Sequence, residues 1–338
     1  MKVAVITGIT GQDGSLLAEE LIEKDYKVYG IIRRNSTEHL GNIEHIKNEV
    51  VLEYGDVTDQ SSIYKVCQTA KPHIFINCAA QSHVGVSFEL PEYTAQATGI
   101  GVLNCLEAIR QTGVHTRFLQ LSSSEMFGNT DEVFITEETP MIPASPYASA
   151  KLFGYNITRN YRESYRMFAS NSIAFNHEAP GRRGPNFVTR KVAIGVARIK
   201  AGLQKDLVLG NLDSRRDWGH AIDFVRGMIK IIEHSEPDDF ILATGESHTV
   251  QELVELAFNV VKLDWKNYVK SSQSHMRPNE LHYLRGSYEK ASDKLGWKPE
   301  IPFDQLVHEM VSFELDVLGI KDPYINTATQ GMAVLDKA

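Results

Sequence analysis

Short apolar runs recur along the first half of the chain, and longer polar stretches separate them. KVAVIT (2–7), KVYGII (27–32), VVLEYG (50–55), HIFINCA (73–79) and RFLQLSS (117–123) read as buried strands. Between them, SLLAEELIEK and GIGVLNCLEAIRQTG carry apolar positions at helical spacing. Buried strands joined by helices predict right-handed crossovers, and hence an α/β fold built on a doubly wound parallel sheet.

Beyond about residue 177 that rhythm breaks into loops rich in Gly, Pro, Arg and Asn, such as NHEAPGRRGPNF. This texture predicts a smaller C-terminal α/β lobe that holds a substrate over the C-terminal edge of a Rossmann sheet. DFVRGMIKIIEHS followed by FILAT reads as a helix and a strand that return to the first domain. The expected division is therefore discontinuous. Residues 1–176, rejoined by about 214–246, form the dinucleotide-binding domain, and 177–213 with 247–338 form the nucleotide-sugar lobe.

Composition narrows the partners. The 338 residues are 42% hydrophobic and 23% charged, ordinary for a globular chain, and the formal charge of −8 disfavours nucleic acid. No apolar run approaches the roughly 18 residues of a membrane helix. The start runs at once into a strand and a glycine turn, so no secretory leader is expected. Cys67, Cys78 and Cys105 are unevenly spaced without a CxxC pair, which points to free thiols in a reducing, cytoplasmic compartment and to no metal site.

Gly8, Gly11 and Gly14 stand three apart, directly after the first strand and at the start of the first helix. Glycines there let backbone N–H groups approach a pyrophosphate at a helix N-terminus. The turn Gly8, Ile9, Thr10, Gly11, Gln12, Asp13 and Gly14 is thus a candidate dinucleotide site. An acidic residue after the second strand would bind the ribose 2′-hydroxyl of NAD. Here the sequence is IIRRNS, so Arg33, Arg34, Asn35 and Ser36 favour the 2′-phosphate of NADP. Asp56, with Val57, ends the third strand where such folds meet the adenine. Cys78, Ala79, Ala80, Gln81 and Ser82 end the fourth strand beside the cofactor ribose.

Tyr147 and Lys151 form Y-x-x-x-K, preceded by Ser145 as a helix cap and Pro146 in its first turn. Four residues apart, they share one helix face. The ammonium would favour phenolate over phenol, which suits Tyr147 to remove a proton from a substrate hydroxyl as hydride leaves the same carbon. Lys151 would also hold the nicotinamide ribose.

The glycine turn, the Ser-rich strand end and YxxxK resemble the extended short-chain dehydrogenase/reductase family. Within it, TGITGQDGS, AAQSHVGVSFELPEYTA, SSSEMFG, SPYASAKLFGY, FNHEAPGRRGPNFVTRK, LGNLDSRRDWGHAIDF, RPNEL and KLGWKP resemble the GDP-mannose 4,6-dehydratase family over about residues 3–318. The resemblance implies a redox-neutral lyase acting on a GDP-sugar. C4 of the sugar is oxidised, water leaves across C5 and C6, and hydride returns to C6. It assigns C4-hydroxyl hydrogen bonding to Ser123 and both proton transfers at C5 and C6 to Glu125. It places Asn176, Asn186, Lys191 and Arg216 at the diphosphate side, and Arg277 and Glu280 around the nucleoside. Ser82, Val84, Ser87 and Tyr93 line the loop between sugar and nicotinamide, and His177 faces the cofactor. It also implies a homo-oligomer, dimer or tetramer, paired through helices that include the one starting at Pro146. Apolar and aromatic residues there (Leu152, Phe153, Tyr155, Ile157, Tyr161) exceed what one sheet face should cover.

This sequence departs from the family pattern at four places. Ser123 replaces a threonine, Gly181 lengthens the following loop by one residue, His282 stands where an acid is usual, and Asn42 replaces a basic residue. The added Gly181 leaves Arg182 and Arg183 as alternatives for the cofactor contact, and spacing to Asn186 selects Arg183. Other enzyme readings are a sibling dehydratase for another GDP-sugar such as a GDP-heptose, or an epimerase or reductase on the same fold. A catalytically dead NADP sensor is the non-enzyme alternative, against which the retained Tyr147 and Lys151 speak.

Overall fold

The computed structural model of the chain describes residues 1–34, 36, 40–272, 279 and 281–320. At its centre lie β1 (Lys2–Thr7), β2 (Tyr26–Ile32), β3 (Val50–Tyr54), β4 (Ile74–Asn77), β5 (Arg117–Ser123), β6 (Ala169–Ala174) and a later strand, Asp239–Leu242. Across the sheet the order is Asp239–Leu242, β6, β5, β4, β1, β2, β3, and every neighbouring pair is parallel. The five apolar runs are the first five strands, and the doubly wound α/β architecture stands as expected. The order reverses between β1 and β4, which opens a crevice at their C-terminal ends.

The sixth strand, ASNSIA, is illegible by hydrophobic pattern. Its Ser170, Asn171 and Ser172 are fully buried polar residues. Hydrogen bonds to residues distant in sequence offset the burial of Ser170 and Asn171, while the Ser172 hydroxyl has no partner among the described residues. Asn171 Nδ2 donates to Asp239 Oδ1 at 2.8 Å, its Oδ1 accepts from Ser122 Oγ at 3.1 Å, and Ser170 Oγ accepts from the Asp238 amide at 3.2 Å.

One sheet face is covered by helices Gln12–Glu23 and Ala221–Glu233, whose Leu17, Leu21, Phe224 and Met228 join a single core cluster. Helices Gln60–Ala70 and Gly101–Thr112 cover the other face with Val66, Leu106 and Ile109. Helices Val188–Lys200, Val250–Val260 and Phe303–Val317 build a separate core around Val196, Phe258 and Leu306. Among the described residues no helix is long and apolar enough to cross a membrane.

Helix Pro146–Tyr165 corrects one expectation. Tyr155 and Tyr161 are buried, and Leu152 and Ile157 pack against the core clusters, so only Phe153 of the five is exposed, at 40%. The helix is flanked by residues 95–112 as well as by the sheet, so one chain covers more of its surface than a sheet face alone would.

Candidate active site

Gly8 closes the turn after β1 at φ +64°, and a Cβ there would lie 2.9 Å from the Ala79 nitrogen. A Cβ on Gly14 would lie 2.3 Å from the Gly8 carbonyl oxygen. Only glycine lets β1, β4 and the first helix approach so closely. That helix starts at Gln12, and its N-cap, Gly11, has no side chain to satisfy the first N–H groups. A dinucleotide pyrophosphate fits this cradle as the missing cap. Ile9 is core, so it and Thr10 shape the turn mainly through backbone.

The described residues among those expected around a dinucleotide follow the ends of β2, β3 and β4. After β2, Arg33, Arg34 and Ser36 are exposed, and Arg33 Nη1 donates to the Tyr93 hydroxyl at 2.7 Å. Asn35 lies outside the described residues, as do Arg277 and Glu280. After β3, Asp56 Oδ1 accepts from the Thr58 amide at 2.9 Å and its hydroxyl at 2.8 Å, and Val57 is buried. After β4, the Ala79 amide donates to Thr7 Oγ1 at 3.1 Å, which fixes Cys78, Ala79 and Ala80 against the turn. The Gln81 side chain brackets the backbone of His83 on either side of Ser82, and Ser87 Oγ donates to the Val84 carbonyl at 2.6 Å.

The candidate reacting groups converge at the end of β5. Ser123 ends that strand, and its Oγ accepts from the Glu125 amide at 3.2 Å, turning the chain so that Glu125 follows within one short helical turn. Ser145 Oγ caps the next helix by accepting from the Ala148 amide at 3.1 Å. This capped start places Tyr147 close to Ser123 and Glu125, both of which act on its phenol. Ser123, Glu125, Tyr147 and Lys151 are all at least nine-tenths buried.

Burial pushes the Tyr147 phenol up to about 12, against the lowering influence of the neighbouring Ser123. The ammonium of Lys151 does not supply the expected lowering. Its Nζ donates to the Leu121 carbonyl at 2.6 Å and stands 5.8 Å from the tyrosine ring centre. Burial lowers Lys151 to about 8, with the neighbouring Cys78 and Asp13 opposing that shift. Burial and the field of Asp13 push the Cys78 thiol well up, which leaves it an inert wall.

At the lobe boundary, strand Asn176–Glu178 sends alternate side chains to opposite sides. His177 Nε2 lies 3.0 Å from Asp13 Oδ1. The side chain of Gln12 is turned inward, donating to the His177 carbonyl at 3.0 Å and accepting from the Ala179 amide at 2.9 Å. Of the two adjacent arginines, Arg182 is drawn onto Glu19 at 2.7 Å and Ser15 at 2.9 Å. Arg183 instead faces Asp13, His177 and Tyr147, which it influences electrostatically. Asn186 and Lys191 lie at the start of helix Val188–Lys200, and partial burial lowers Lys191. Arg216 is buried, and its Nη1 donates to the Leu281 carbonyl at 2.9 Å.

Two carboxylates here escape sequence reasoning. Glu178, 2% exposed, lies beside Arg183, and burial raises its carboxyl. Asp217, fully buried, accepts from Thr244 N, Thr244 Oγ1, Gly245 N and Gly286 N at 2.7–3.2 Å, tying three segments together. Nothing in the sequence marks either one, because burial and partners come only with the fold.

Comparison with known proteins agrees with this geometry. The family model for GDP-mannose 4,6 dehydratase matches residues 5–310. A GDP-mannose 4,6 dehydratase of Cricetulus griseus is 45% identical, aligned over 94% of this chain and 92% of its own. GDP-mannose 4,6 dehydratase 2 of Arabidopsis thaliana is 47% identical over 94% and 87%. Among solved structures, RMD from Pseudomonas aeruginosa complexed with NADPH superposes with a TM-score of 0.79 at 25% identity, covering 94% of this chain and all of that one. With a family match spanning nearly the whole chain and relatives from animal and plant at this identity, the chain belongs to the GDP-mannose 4,6-dehydratase family.

Proposed function

We propose that this protein is an NADP-dependent hydro-lyase that converts GDP-mannose to GDP-4-keto-6-deoxymannose. The observation that carries the reading is the convergence of Ser123, Glu125 and Tyr147 beside the glycine cradle. A reductase or epimerase needs a base for one hydroxyl; a buried glutamate two residues after the serine adds the second proton-transfer group that dehydration requires.

The turn Gly8–Gly14 with Arg33 and Arg34 would hold NADP, which would supply the transient hydride acceptor. Tyr147 takes the proton of the C4 hydroxyl, whose oxygen Ser123 steadies by hydrogen bond. Lys151 orients the cofactor ribose once its ammonium exchanges the Leu121 carbonyl for that partner. Oxidation at C4 makes the C5 proton acidic, and Glu125 removes it. The same carboxyl then protonates the departing C6 oxygen, and hydride returned to C6 with a solvent-derived proton taken up at C5 would complete the 4-keto-6-deoxy sugar. Asn176, Asn186, Lys191 and Arg216 suit the diphosphate by their amide and cationic groups.

Residues 1–176 with 214–246 form the cofactor half in this reading, and 177–213 with the chain beyond 247 form the sugar-nucleotide half. The protein acts as a homo-oligomer, for which the exposed Phe153 on helix Pro146–Tyr165 is the support. Three free cysteines fit the cytoplasm. Purified protein incubated with GDP-mannose should yield the 4-keto-6-deoxy product, seen by mass and by the ketone; substrate recovered unchanged in the presence of NADP would refute the reading.

A further inference from the structure

His177 is held at both ring nitrogens. Nδ1 lies 2.7 Å from the Phe175 carbonyl oxygen, and Nε2 lies 3.0 Å from Asp13 Oδ1. A carbonyl oxygen and a carboxylate oxygen only accept, so both nitrogens must donate, and only the imidazolium carries two N–H groups. The ring is buried and lies flat on Phe224, with centroids 4.7 Å apart and planes 15° from parallel. Both of its donors are therefore used inside the protein.

Asp13 is the second residue of the helix that opens at the glycine turn. A carboxylate there suits the helix dipole but opposes a pyrophosphate at the same N-terminus. Its Oδ1 also accepts from Gln12 Nε2 at 3.0 Å, so it is aimed toward His177 from two sides. The other charged or titratable groups facing the pair are Arg183, from the turn after the strand, Glu178, the next residue, and Lys151 with Tyr147 and Cys78 from across the crevice. Of these cations only His177 is hydrogen-bonded to Asp13, so loss of the imidazolium leaves that carboxylate without its direct charge partner.

We infer that His177 is a positioning residue, a fixed imidazolium that neutralises and aims Asp13 so that the turn Gly8–Gly14 accepts a dinucleotide pyrophosphate, rather than a direct ligand of the cofactor. The inference rests on the NADP reading above. The titration directions agree with the geometry. Against the raising effect of burial, His177 holds the Asp13 carboxyl well below the usual carboxylate range. Against the lowering effect of burial, Asp13 raises His177.

A double-mutant cycle on NADP affinity tests it, using His177→Asn, Asp13→Asn and the double variant. Asparagine can keep the donor to the Phe175 carbonyl while removing the charge and the Asp13 contact. His177→Asn should weaken NADP on the order of tenfold, as expected for one uncompensated charge beside a diphosphate in a partly buried site. Asp13→Asn is the reference for the cycle, and adding His177→Asn to it should cost little further affinity, because the carboxylate that the histidine neutralises is gone. If the double stays as much weaker than Asp13→Asn as His177→Asn is than wild type, histidine contacts the cofactor directly and the inference fails.

Nitrogen-15 spectra of the ring give a readout independent of binding, and serve equally if His177→Asn does not fold. The cofactor-free wild type should show an imidazolium at about neutral pH, and Asp13→Asn a neutral ring, with the His177 pKa returning below its usual value. A neutral ring in a wild-type protein that binds NADP overturns this inference alone. A wild type that does not bind NADP overturns the cofactor reading and the inference with it.

Discussion

The Nε of Arg183 lies 3.3 Å from Oε2 of Glu178, and the guanidinium stacks on Phe187 with Cζ 4.1 Å from the ring centre. One cation is thus clamped between a buried carboxylate and an aromatic face, aimed at the group containing Asp13, His177 and Tyr147. The partners differ in how they respond to being left alone. Glutamate can take up a proton, and arginine cannot lose one.

Arg183→Met should therefore cost stability in a pH-dependent way. Burial already raises Glu178 above its usual value, and Arg183 is the main group opposing that. Without the arginine the folded-state value rises further. A raised carboxyl contributes fully when protonated, and its contribution is lost as pH climbs through the folded value. The variant should lie close to wild type at about pH 5 and fall on the order of 2–3 kcal/mol below it by about pH 8. Urea unfolding across that range checks this; a pH-independent gap would show that Glu178 is not the responding group.

Lys151 makes the opposite kind of prediction. Its ammonium is buried, and burial lowers it to about 8. Below that pH the folded cofactor-free protein carries a charge that the unfolded chain accommodates more easily, and the penalty is relieved as pH rises from about 8 toward the free-lysine value. Lys151→Met removes the penalty and, on the proposed mechanism, the activity. Relative to this variant, cofactor-free wild type should gain about 2 kcal/mol between pH 8 and roughly pH 9.5. Parallel stability curves would contradict it.

Glu125 should separate dehydration from oxidation. Glu125→Gln is nearly isosteric, so binding should survive while C5 deprotonation fails. In heavy water the wild type should place deuterium at C5 of the product, and the variant should leave recovered substrate unlabelled there. Tyr147→Phe should lose at least about a hundredfold in turnover, the usual scale of general-base help. Labelled 4-keto-6-deoxy product from Glu125→Gln at near wild-type rate would assign the C5 base elsewhere.

Arg34 should set cofactor choice. Arg34→Asp should weaken NADP about tenfold or more while changing NAD little, because only the 2′-phosphate gains charge-assisted hydrogen bonds there. Titration with both cofactors measures this. Equal losses would place the 2′-phosphate away from Arg34.

The sequence alone determined the features that depend on local spacing. Apolar runs of strand length fixed five parallel strands, because strands buried on both faces cannot hide their composition. Three glycines after the first strand fixed the cradle, since Gly8 and Gly14 leave no room for a Cβ. Ser145 and Pro146 fixed the start of the helix that carries Tyr147. Tertiary structure decided everything that depends on a partner distant in sequence. β6 was hidden because Asn171 is tolerated only where Asp239 and Ser122 meet it. Helical spacing put Lys151 on the same face as Tyr147, but the Leu121 carbonyl thirty residues earlier decided where its ammonium points. Spacing to Asn186 favoured Arg183, yet what separates it from Arg182 is physical: Glu19, on the first helix, draws Arg182 away. Nothing in the sequence singles out Glu178; its burial beside Arg183 does, because desolvation and pairing are properties of a place in the fold and not of a position in the chain.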